Sequence, residues 1–267
     1  MPRAIGANGR IHMIKESTYG TAPGGNWLRM PFMSIDLGAE QPLIQSDVLA
    51  VGNSRDSAAP FQDTVTVQGN AVVPIDVINI GHWLRMLFGA PTTTGSNPNF
   101  IHTFASGAAS LPSQAIEIAH PDVPSFEICT GVRAGSLDID LSPTGPAQAT
   151  IGLMGQGSSR AGATAAGVPT SAAYTRFSKH QGSISRAGSA LAQVTGARLN
   201  FNNNLEMVRT IRADRKLEGI DPGVSLVTGQ VTTRFENTTL LTQADNGSSA
   251  EFAFAYTIDA NTSLTFT

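Results

Sequence analysis

The chain has 267 residues, of which 41% are hydrophobic, and a formal net charge of −3 at pH 7. A chain of this length can bury a sizeable core, and its slightly acidic balance gives no reason to expect tight nucleic-acid binding over the whole surface. One cysteine excludes an internal disulfide. No window approaches the roughly 18 apolar residues of a membrane span, and the first residues lack a signal-peptide pattern, so we expect synthesis in a cytoplasm.

The composition favours β structure. Charged residues make up 14% of the chain, against roughly 25% in an ordinary soluble domain, so the surface is expected to be polar but uncharged, which suits contact with other proteins. The 27 glycines and 15 prolines predict many turns, and long helical patterns are few. We predict a mainly β fold, a β-sandwich or barrel with one or two short flanking α-helices.

The first part of the chain divides into an arm and the start of a domain. Residues 1–60 have weak periodicity and are predicted as an N-terminal arm or leader with short strands, while residues 61–267 are predicted as the β domain. A strand pair is predicted within residues 63–76. Residues 79–88 have apolar side chains at helical spacing before a glycine stop, which predicts a short amphipathic helix. Residues 90–99 are predicted as a loop from their composition.

Alternating patterns continue through the middle of the chain. Strands are predicted at residues 101–104, 114–119, 125–130, 132–142 and 147–155. In the 132–142 strand we expect Leu137 and Ile139 to point inward. Asp138 and Asp140 then stand side by side on the outer face, because positions two apart on a strand face the same way.

The lowest-complexity segment covers residues 155–173 and is rich in Gly, Ser, Thr and Ala. Its side chains are too small and polar to form a core, so we predict either a flexible loop or a docking segment that its neighbours order. A domain boundary here is not favoured, because the pieces on either side are short of the strands that a self-sufficient sandwich needs.

Residues 196–237 are expected to be the stretch around which the rest of the chain is arranged. Their first part alternates as a strand, with Leu199 and Phe201 on one face. The opposite face is polar and includes Asn200, Asn202 and Asn204. Their second part is a Thr- and Val-rich strand.

The end of the chain is predicted as a short helix followed by strands. The helix covers residues 237–245, and the strands cover residues 251–259 and 264–266. A weak echo between residues 132–141 and 194–203 suggests a duplicated half.

Groups that carry chemistry are sparse. The sequence has no nucleotide-binding, zinc or nucleophile motif, and its five histidines are scattered without ligand-like spacing. We therefore predict no enzyme activity, no catalytic or cofactor-binding residue and no metal ligand. Cys129 is expected to be a small side chain within a strand. Asp138 and Asp140 are able to bind a divalent ion or to act as an acid/base pair. No third acidic or histidine partner is near in sequence, which favours the solvated face of a strand.

The densest basic run consists of Arg209, Arg212, Arg215 and Lys216. Four cations without interleaved aromatic residues make a poor platform for single-stranded nucleic acid. A solvated loop or a salt-bridging contact with a neighbouring subunit is favoured, and these four residues are our candidates for subunit contacts.

A set of short motifs carries a family likeness through its order along the chain. The motifs are E-S-T-Y-G-T-A-P near the start, V-Q-G-N-A-V leading to G-H-W-L-R-M-L-F-G-A-P, L-P-S-Q-A-I-E-I-A-H, A-G-S-L-D-I-D-L-S, and the closing L-N-F-N-N-N-L-E with V-T-G-Q-V-T-T-R-F-E-N-T-T-L-L. Together they resemble the tail tube (major tail) protein family of long-tailed bacteriophages. The likeness spans nearly the whole chain, although residues 155–192 show no family pattern.

The resemblance implies a fold, a function and partners. The fold is a β-sandwich or barrel of the phage tail tube type with a flanking helix. The function is that of a structural virion protein that forms hexameric rings, which stack into a hollow, non-contractile tail tube through which phage DNA is ejected without specific binding. The implied partners are further copies of the chain and the tail terminator, tape measure and distal tail proteins. Neither a membrane nor a cofactor is implied.

Two strand faces are candidates to line the lumen of such a tube. One carries Asp138 and Asp140, and the other carries Asn200, Asn202 and Asn204. A neutral or acidic wall would repel phosphate, whereas rows of lysine or arginine would retain it.

Contacts between rings are expected from the parts of the chain with the weakest patterns, residues 1–60 and 155–173. Two other functions remain open on the residues alone. One is the inner tube of a contractile injection or secretion machine. The other, with less support, is a β-sandwich hydrolase with Asp138 and Asp140 as its acid/base pair.

Overall fold

The structure, a computed structural model, describes residues 3–45, 59–235 and 238–267. Within them the chain is mainly β with two short α-helices, which confirms the predicted class. The helices are α1 (Ile80–Phe88) and α2 (Thr239–Asp245), and short 3-10 helices lie at Gly6–Asn8 and Lys179–Gln181. The strands are β1 (Arg10–Lys15), β2 (Leu28–Met30), β3 (Ser34–Ile35), β4 (Gly38–Glu40), β5 (Leu43–Ile44), β6 (Phe61–Gln62), β7 (Thr66–Pro74), β8 (Thr92–Ser96), β9 (Asn99–Thr103), β10 (Gln114–His120), β11 (Ser125–Leu141), β12 (Gln148–Gly155), β13 (Gly157–Ala161), β14 (Gly182–Arg186), β15 (Ser189–Ala190), β16 (Val194–Asn202), β17 (Glu206–Val208), β18 (Gly219–Asp221), β19 (Leu226–Thr233), β20 (Phe252–Asp259) and β21 (Thr262–Phe266).

The 17-residue strand β11 is the centre of the sheet network. On one edge, the second half of β11 pairs with β12, and the first half pairs with β13, the strand that follows β12 in the chain. On the other edge, β10 pairs with the first half of β11 and β16 with the second half. The organising element is therefore β11 rather than the stretch 196–237, whose strands β16 and β19 pair with each other and extend one side of the sheet.

The first half of β11 shares a sheet with strands from the N-terminal segment. All of β1 pairs with β10, and β2 pairs with β1. Ile11 and Met13 of β1 lie in the main core at 0% and 1% exposure. Part of the segment 1–60, predicted as an arm, thus belongs to the same sheet network as the rest of the chain, and the domain boundary at residue 60 stays a prediction.

The second half of β11 is the middle strand of a sheet with the order β7, β12, β11, β16 and β19. One face of this sheet is apolar and buried, with Leu137 and Ile139 each 1% exposed. Helix α1 covers part of this face through its apolar stripe, and the ring of Phe88 lies 4.6 Å from that of Phe201. The inward alternation predicted for the 132–142 strand is confirmed.

A small sheet covers a second part of the same face. Its strand order is β15, β14, β20 and β21. Ile184 and Phe254 of the small sheet pack with Ala197 and Leu199 of β16 in a second buried cluster. The five-stranded sheet therefore has a covered apolar face and an uncovered face, and the uncovered face is the surface of interest below.

Three local predictions are wrong. The strands predicted separately at residues 125–130 and 132–142 are one continuous strand, β11. Residues 63–76 hold one long strand, β7, rather than a strand pair. Residues 90–99, predicted as a loop, supply β8 and the turn of the exposed hairpin β8–β9. The threonines of β8 are β-branched and favour extended backbone, and Gly95 adopts a φ of +88° close to the turn. Composition alone therefore hid a hairpin.

The low-complexity segment 155–173 is held by its own subunit. Its first residues form β13 and pair with β11. Ala166 is 1% exposed in a small cluster with Trp27 and Ala115. The backbone N–H of Thr170 donates to the Trp27 carbonyl at 2.9 Å. Of the two predicted alternatives, a segment ordered by its neighbours agrees with these contacts, although the neighbours are other strands of the same chain.

Candidate functional site

The uncovered face of the five-stranded sheet is polar across all of its strands. Directly opposed residues of an antiparallel pair lie on the same face, so the strand registers define rows of side chains across the sheet. The first row is Val72, Thr150, Asp138, Asn200 and Thr228, and the second is Asn70, Gly152, Ser136, Asn202 and Leu226. The third row consists of two parts, the pair Pro74 and Gln148 and the set Asp140, Arg198 and Gln230. We call these residues the polar face.

The two predicted lumen surfaces are one surface. Asp138 lies directly opposite Asn200, and Asp140 lies directly opposite Arg198, because β11 and β16 are antiparallel neighbours. Asn202 lies on the same side. Sequence periodicity shows which residues of one strand share a face, but it does not show which strands are adjacent, so the two sets had to be treated separately.

The run of three asparagines after Phe201 is split between three environments. Asn202 ends β16 on the polar face. Asn203 points into the core, where its Nδ2 donates to the Leu87 carbonyl of α1 at 2.8 Å. Asn204 lies in the following turn at a φ of +46°, and its Nδ2 donates to the Val224 carbonyl at 2.6 Å. Asn204 is therefore outside the polar face, because the strand alternation from which it was predicted ends two residues earlier.

Both carboxylates of the polar face are ion-paired. Asp138 Oδ2 accepts hydrogen bonds from Nε and Nη2 of Arg198 at 2.9 and 2.6 Å. Asp140 Oδ2 accepts a hydrogen bond from Lys179 Nζ at 2.7 Å, and this bond holds the pKa of Asp140 below its ordinary value. The hydrogen bond with Asp138 raises the pKa of Arg198 further, so Arg198 stays charged. These pairings favour a solvated strand face over an acid/base pair.

Strand β19 forms an open edge of the sheet. It pairs with β16 on one side, and no described strand pairs with its other side. Leu226 and Val227 are 55% and 60% exposed, and Val224 just before them is 86% exposed. Val227 lies opposite Phe201 on the apolar side of the sheet. Apolar core surface thus continues to this edge without cover from the described residues.

The opposite edge of the sheet carries a hairpin. There, β7 pairs with the short strands β3 and β4. Strands β5 and β6 continue the pairing of β4 with β7 and expose three apolar side chains, Leu43 at 63%, Ile44 at 39% and Phe61 at 56%. The connection between these two strands includes residues 46–58, which lie outside the described residues. Exposed apolar residues therefore flank the sheet on both sides.

The basic run lies in the connection between β17 and β18. Arg212 is paired inside the subunit, with two carboxylates of the same connection at 2.8 and 2.5 Å. Arg215 Nη1 donates to Gln62 Oε1 of β6 at 2.5 Å. Arg209 is exposed and Lys216 is half-buried. Their predicted role in subunit contacts stays a prediction, and the side chains of Arg212 and Arg215 already have oxygen partners within the chain.

Glu16 is a buried structural carboxylate that sequence reasoning missed. Its Oε1 accepts the backbone N–H of Gly131 at 2.8 Å. Its Oε2 accepts the Ser113 hydroxyl at 2.6 Å and the backbone N–H of Gly20 at 3.0 Å. Glu16 thereby ties the end of β1 to the middle of β11. The available signal was its position in the E-S-T-Y-G motif directly after an apolar strand.

Glu117 is a second buried carboxylate, and it is 0% exposed on β10. Its Oε1 lies 2.8 Å from His12 Nδ1 and accepts the Thr164 hydroxyl at 2.6 Å. Its Oε2 accepts the backbone N–H of Ala165 at 2.6 Å. Glu117 therefore fastens the low-complexity segment to the sheet. Its place in a regular alternating pattern gave no sign of this, since it would read as an outward-facing residue.

Other groups with chemical potential are inert or dispersed. Burial raises the pKa of the Cys129 thiol to about 12, which keeps it protonated, and Cys129 lies in β11 as predicted. Among the described residues, no group of three His, Cys, Asp or Glu side chains lies close enough to hold a metal ion. Neither helix in the described part of the chain is long and apolar enough to cross a membrane.

These features define a class of β subunit whose prominent surfaces are a polar sheet face and an open sheet edge rather than an enclosed pocket. The chain belongs to the phage tail tube protein family, since the family model described as "Phage tail tube protein" matches residues 6–267. No curated protein matches the chain. The match confirms the family resemblance of the motifs and includes residues 155–192. The protein is a structural virion component of the bacteriophage tail, and its family implies self-assembly into the tail tube together with other tail components.

Proposed function

We propose that the subunits form closed hexameric rings, that the rings stack into a hollow tube, and that the polar face lines the lumen through which phage DNA is ejected. The observation that carries this proposal is the polar face itself, which runs over five neighbouring strands and is backed by a covered apolar face. A wall in contact with water and passing DNA must remain hydrated, and a row-by-row polar surface meets that requirement.

The charges of the polar face suit passage without retention. Its only cation is Arg198, and that guanidinium is paired with Asp138 at 2.6 Å. The remaining positions are mostly amides, hydroxyls and glycine. Phosphate groups bind proteins chiefly through unpaired lysine and arginine side chains, whose binding releases counterions. A wall with paired charges offers DNA few such sites.

The open edge of β19 supports ring closure. An unpaired edge strand tends to pair with another chain, and a ring satisfies every such edge by joining unlike edges of successive subunits. Here one edge of the sheet ends in exposed Leu226 and Val227, and the other carries the exposed apolar residues of β5 and β6. Contact between these two unlike edges repeats around a ring, because each subunit offers one of each.

Contacts between rings are assigned to the segments 1–60 and 155–173. In the first segment, Ile5 is 55% exposed and is separate from the β5 and β6 residues assigned to ring closure. In the second, Val168 is 90% exposed although its neighbours are fastened to the subunit. Further partners at the ends of the tube are the tail terminator, tape measure and distal tail proteins.

The experiment that tests the proposal is electron microscopy of the purified protein at increasing concentration, together with size-exclusion chromatography. Hollow, regularly striated tubes or rings with six subunits are expected. Image averages of a different symmetry would overturn the hexamer, and a reconstruction with the polar face on the outside would overturn the lumen assignment. A protein that stays monomeric at every concentration, with tail-tip complexes added as initiators, would count against self-assembly into a tube.

A further inference from the structure

Arg198 lies on the polar face between two carboxylates. Its side chain is 65% exposed, whereas that of Asp138 is 25% exposed. Nε and Nη2 of Arg198 both donate to Asp138 Oδ2, and Asp140 is its directly opposed cross-strand neighbour. Two donors of the guanidinium fork are thus engaged by one oxygen, and a second negative charge stands beside it.

A second cation approaches this face but is not accessible. Lys179, from the 3-10 helix that precedes β14, donates through Nζ to Asp140 Oδ2 at 2.7 Å and to Ser142 Oγ at 2.5 Å. Its side chain is only 9% exposed, so it cannot readily reach a ligand in the solvent. Arg198 is therefore the cation of this surface that a passing phosphate would meet.

We propose that Asp138 and Asp140 serve to mask Arg198, so that the wall of the tube lacks an unpaired cation toward DNA. This inference rests on the proposed function, because it takes the polar face as the surface that faces DNA. A free guanidinium matches phosphate with two parallel hydrogen bonds and is a strong phosphate ligand. Nε and Nη2 of Arg198 already donate to the Asp138 carboxylate, which is held beside them in the same subunit. A phosphate would have to displace this carboxylate to bind the same two donors.

The repetition of the subunit makes this masking matter. One weak phosphate contact per subunit would recur around each ring and again in each stacked ring. Each contact with a phosphate adds about 0.9 to the salt-dependence slope of DNA affinity, so contacts that recur along a duplex multiply retention. The acidic residues of the face therefore act by pairing a cation, which is a different role from supplying a repulsive field.

Chromatography of the purified protein on immobilised duplex DNA tests this proposal. The test variant is Asp138→Asn with Asp140→Asn, which keeps the shapes of both side chains and removes two negative charges. The matched control is Asp245→Asn with Glu251→Gln, which makes the same change in net charge at two exposed residues outside the polar face. A third variant adds Arg198→Gln to the test variant.

We expect the test variant to elute at higher salt than the matched control, with a salt-dependence slope steeper by about 0.9, as for one additional phosphate contact. The variant that also lacks Arg198 should lose this gain. Elution of the test variant together with the matched control would overturn the masking proposal, and so would a gain that survives the loss of Arg198.

Electron microscopy of the same preparations separates this proposal from the proposed function. Wild-type protein that forms no tubes even with tail-tip complexes added, together with a gain in DNA retention that depends on Arg198, would overturn the proposed function and leave the pairing of Arg198 by Asp138 in place. Normal tubes together with co-elution of the test and control variants would overturn the masking alone.

Discussion

At the scale of single residues, sequence alternation predicted the outward side chains well and the buried carboxylates poorly. Asp138, Asp140 and Asn200 do lie on the uncovered face of their sheet. Glu16 and Glu117 are buried because folded backbone and hydroxyl groups from distant segments supply hydrogen bonds to them. In the sequence, a carboxylate with such partners cannot be distinguished from a solvated one, because the partners are distant along the chain. His12 and Glu117, for example, are 105 residues apart.

Glu117→Ala should strongly destabilise the subunit. The substitution removes the acceptor for Thr164 and Ala165 and leaves the buried His12 without its partner. We expect the free energy of unfolding to fall by about 3 kcal/mol. Urea unfolding followed by tryptophan fluorescence measures this change, since Trp27 is 0% exposed in the native state.

The matched control for that substitution is Glu127→Ala. Glu127 pairs with Arg160, and the side chains of Glu127 and Arg160 are 15% and 74% exposed, so the arginine end of this ion pair is hydrated. Its loss should change the free energy of unfolding by less than about 1 kcal/mol. Equal losses in the two variants would show that the hydrogen bonds of Glu117 do not fasten the low-complexity segment.

Asp140 should make a pH-dependent contribution to stability. Its pKa in the folded state is lowered, chiefly by the hydrogen bond from Lys179, so its stabilising effect is present above its ordinary value of 3.8 and is lost as the pH falls through the folded-state value. The difference in free energy of unfolding between wild type and Asp140→Asn should therefore be constant near neutral pH and shrink below pH 3.8. Chemical denaturation across this range measures it.

Lys179→Gln provides the comparison for the pH experiment. This variant removes the lysine that contributes most to the lowered pKa of Asp140, so its stability should depend less on pH below 3.8 than that of wild type. A constant difference between wild type and Asp140→Asn down to the lowest pH would contradict the assignment of the lowered pKa to this pair.

At the scale of elements, the sequence predicted type and place better than pairing. The helix at residues 79–88 was found because its apolar spacing and its glycine stop are local signals, and α1 begins one residue later. The predicted helix at residues 237–245 corresponds to α2, although the start of that prediction lies outside the described residues. The central role of β11 could not be found this way. Its two halves pair with different strands through contacts that are distant in sequence.

The change of partners along β11 depends on a bulge at Gly131. Opposite Gln114 and Ile116 of β10, the register of β11 shifts between Val132 and Cys129. Gly131 adopts a φ of +63°, and its backbone N–H donates to Glu16 Oε1. A bulge bends a strand and increases its twist, which lets one strand serve two sheets.

Gly131→Ala should disturb this bend. A Cβ atom at this position would lie 2.7 Å from Gln156 Cβ and 3.1 Å from the Tyr19 ring, in addition to the strain of a positive φ. We expect the free energy of unfolding to fall by about 2 kcal/mol. For comparison, an added Cβ at Gly162 meets nothing within 4 Å, so Gly162→Ala should stay within about 0.5 kcal/mol of wild type. Indistinguishable variants would show that the bulge tolerates a side chain.

At the scale of the whole molecule, composition and motif order predicted the class, while the surfaces required the structure. A polar but weakly charged chain rich in turns indicated a β protein that contacts other proteins, and the motifs indicated the family. Neither observation revealed that the polar residues of five strands form one face, or that β19 is an open edge. These facts depend on strand order, which sequence periodicity does not encode.

Val227→Lys tests the open edge as the site of ring closure. Val227 is 60% exposed on β19, so the subunit should keep its stability to within about 0.5 kcal/mol. A lysine on an edge strand opposes pairing with another chain, since the new strand or apolar surface would have to bury its charge. We expect soluble, folded protein that forms neither rings nor tubes in electron micrographs.

The control variant is Val123→Lys, at a 41% exposed valine in the turn between β10 and β11. It makes the same chemical change away from this edge and should assemble normally. Tubes of normal appearance from Val227→Lys would place ring closure elsewhere on the subunit, whereas loss of assembly in both variants would trace the effect to added charge rather than to the edge of β19.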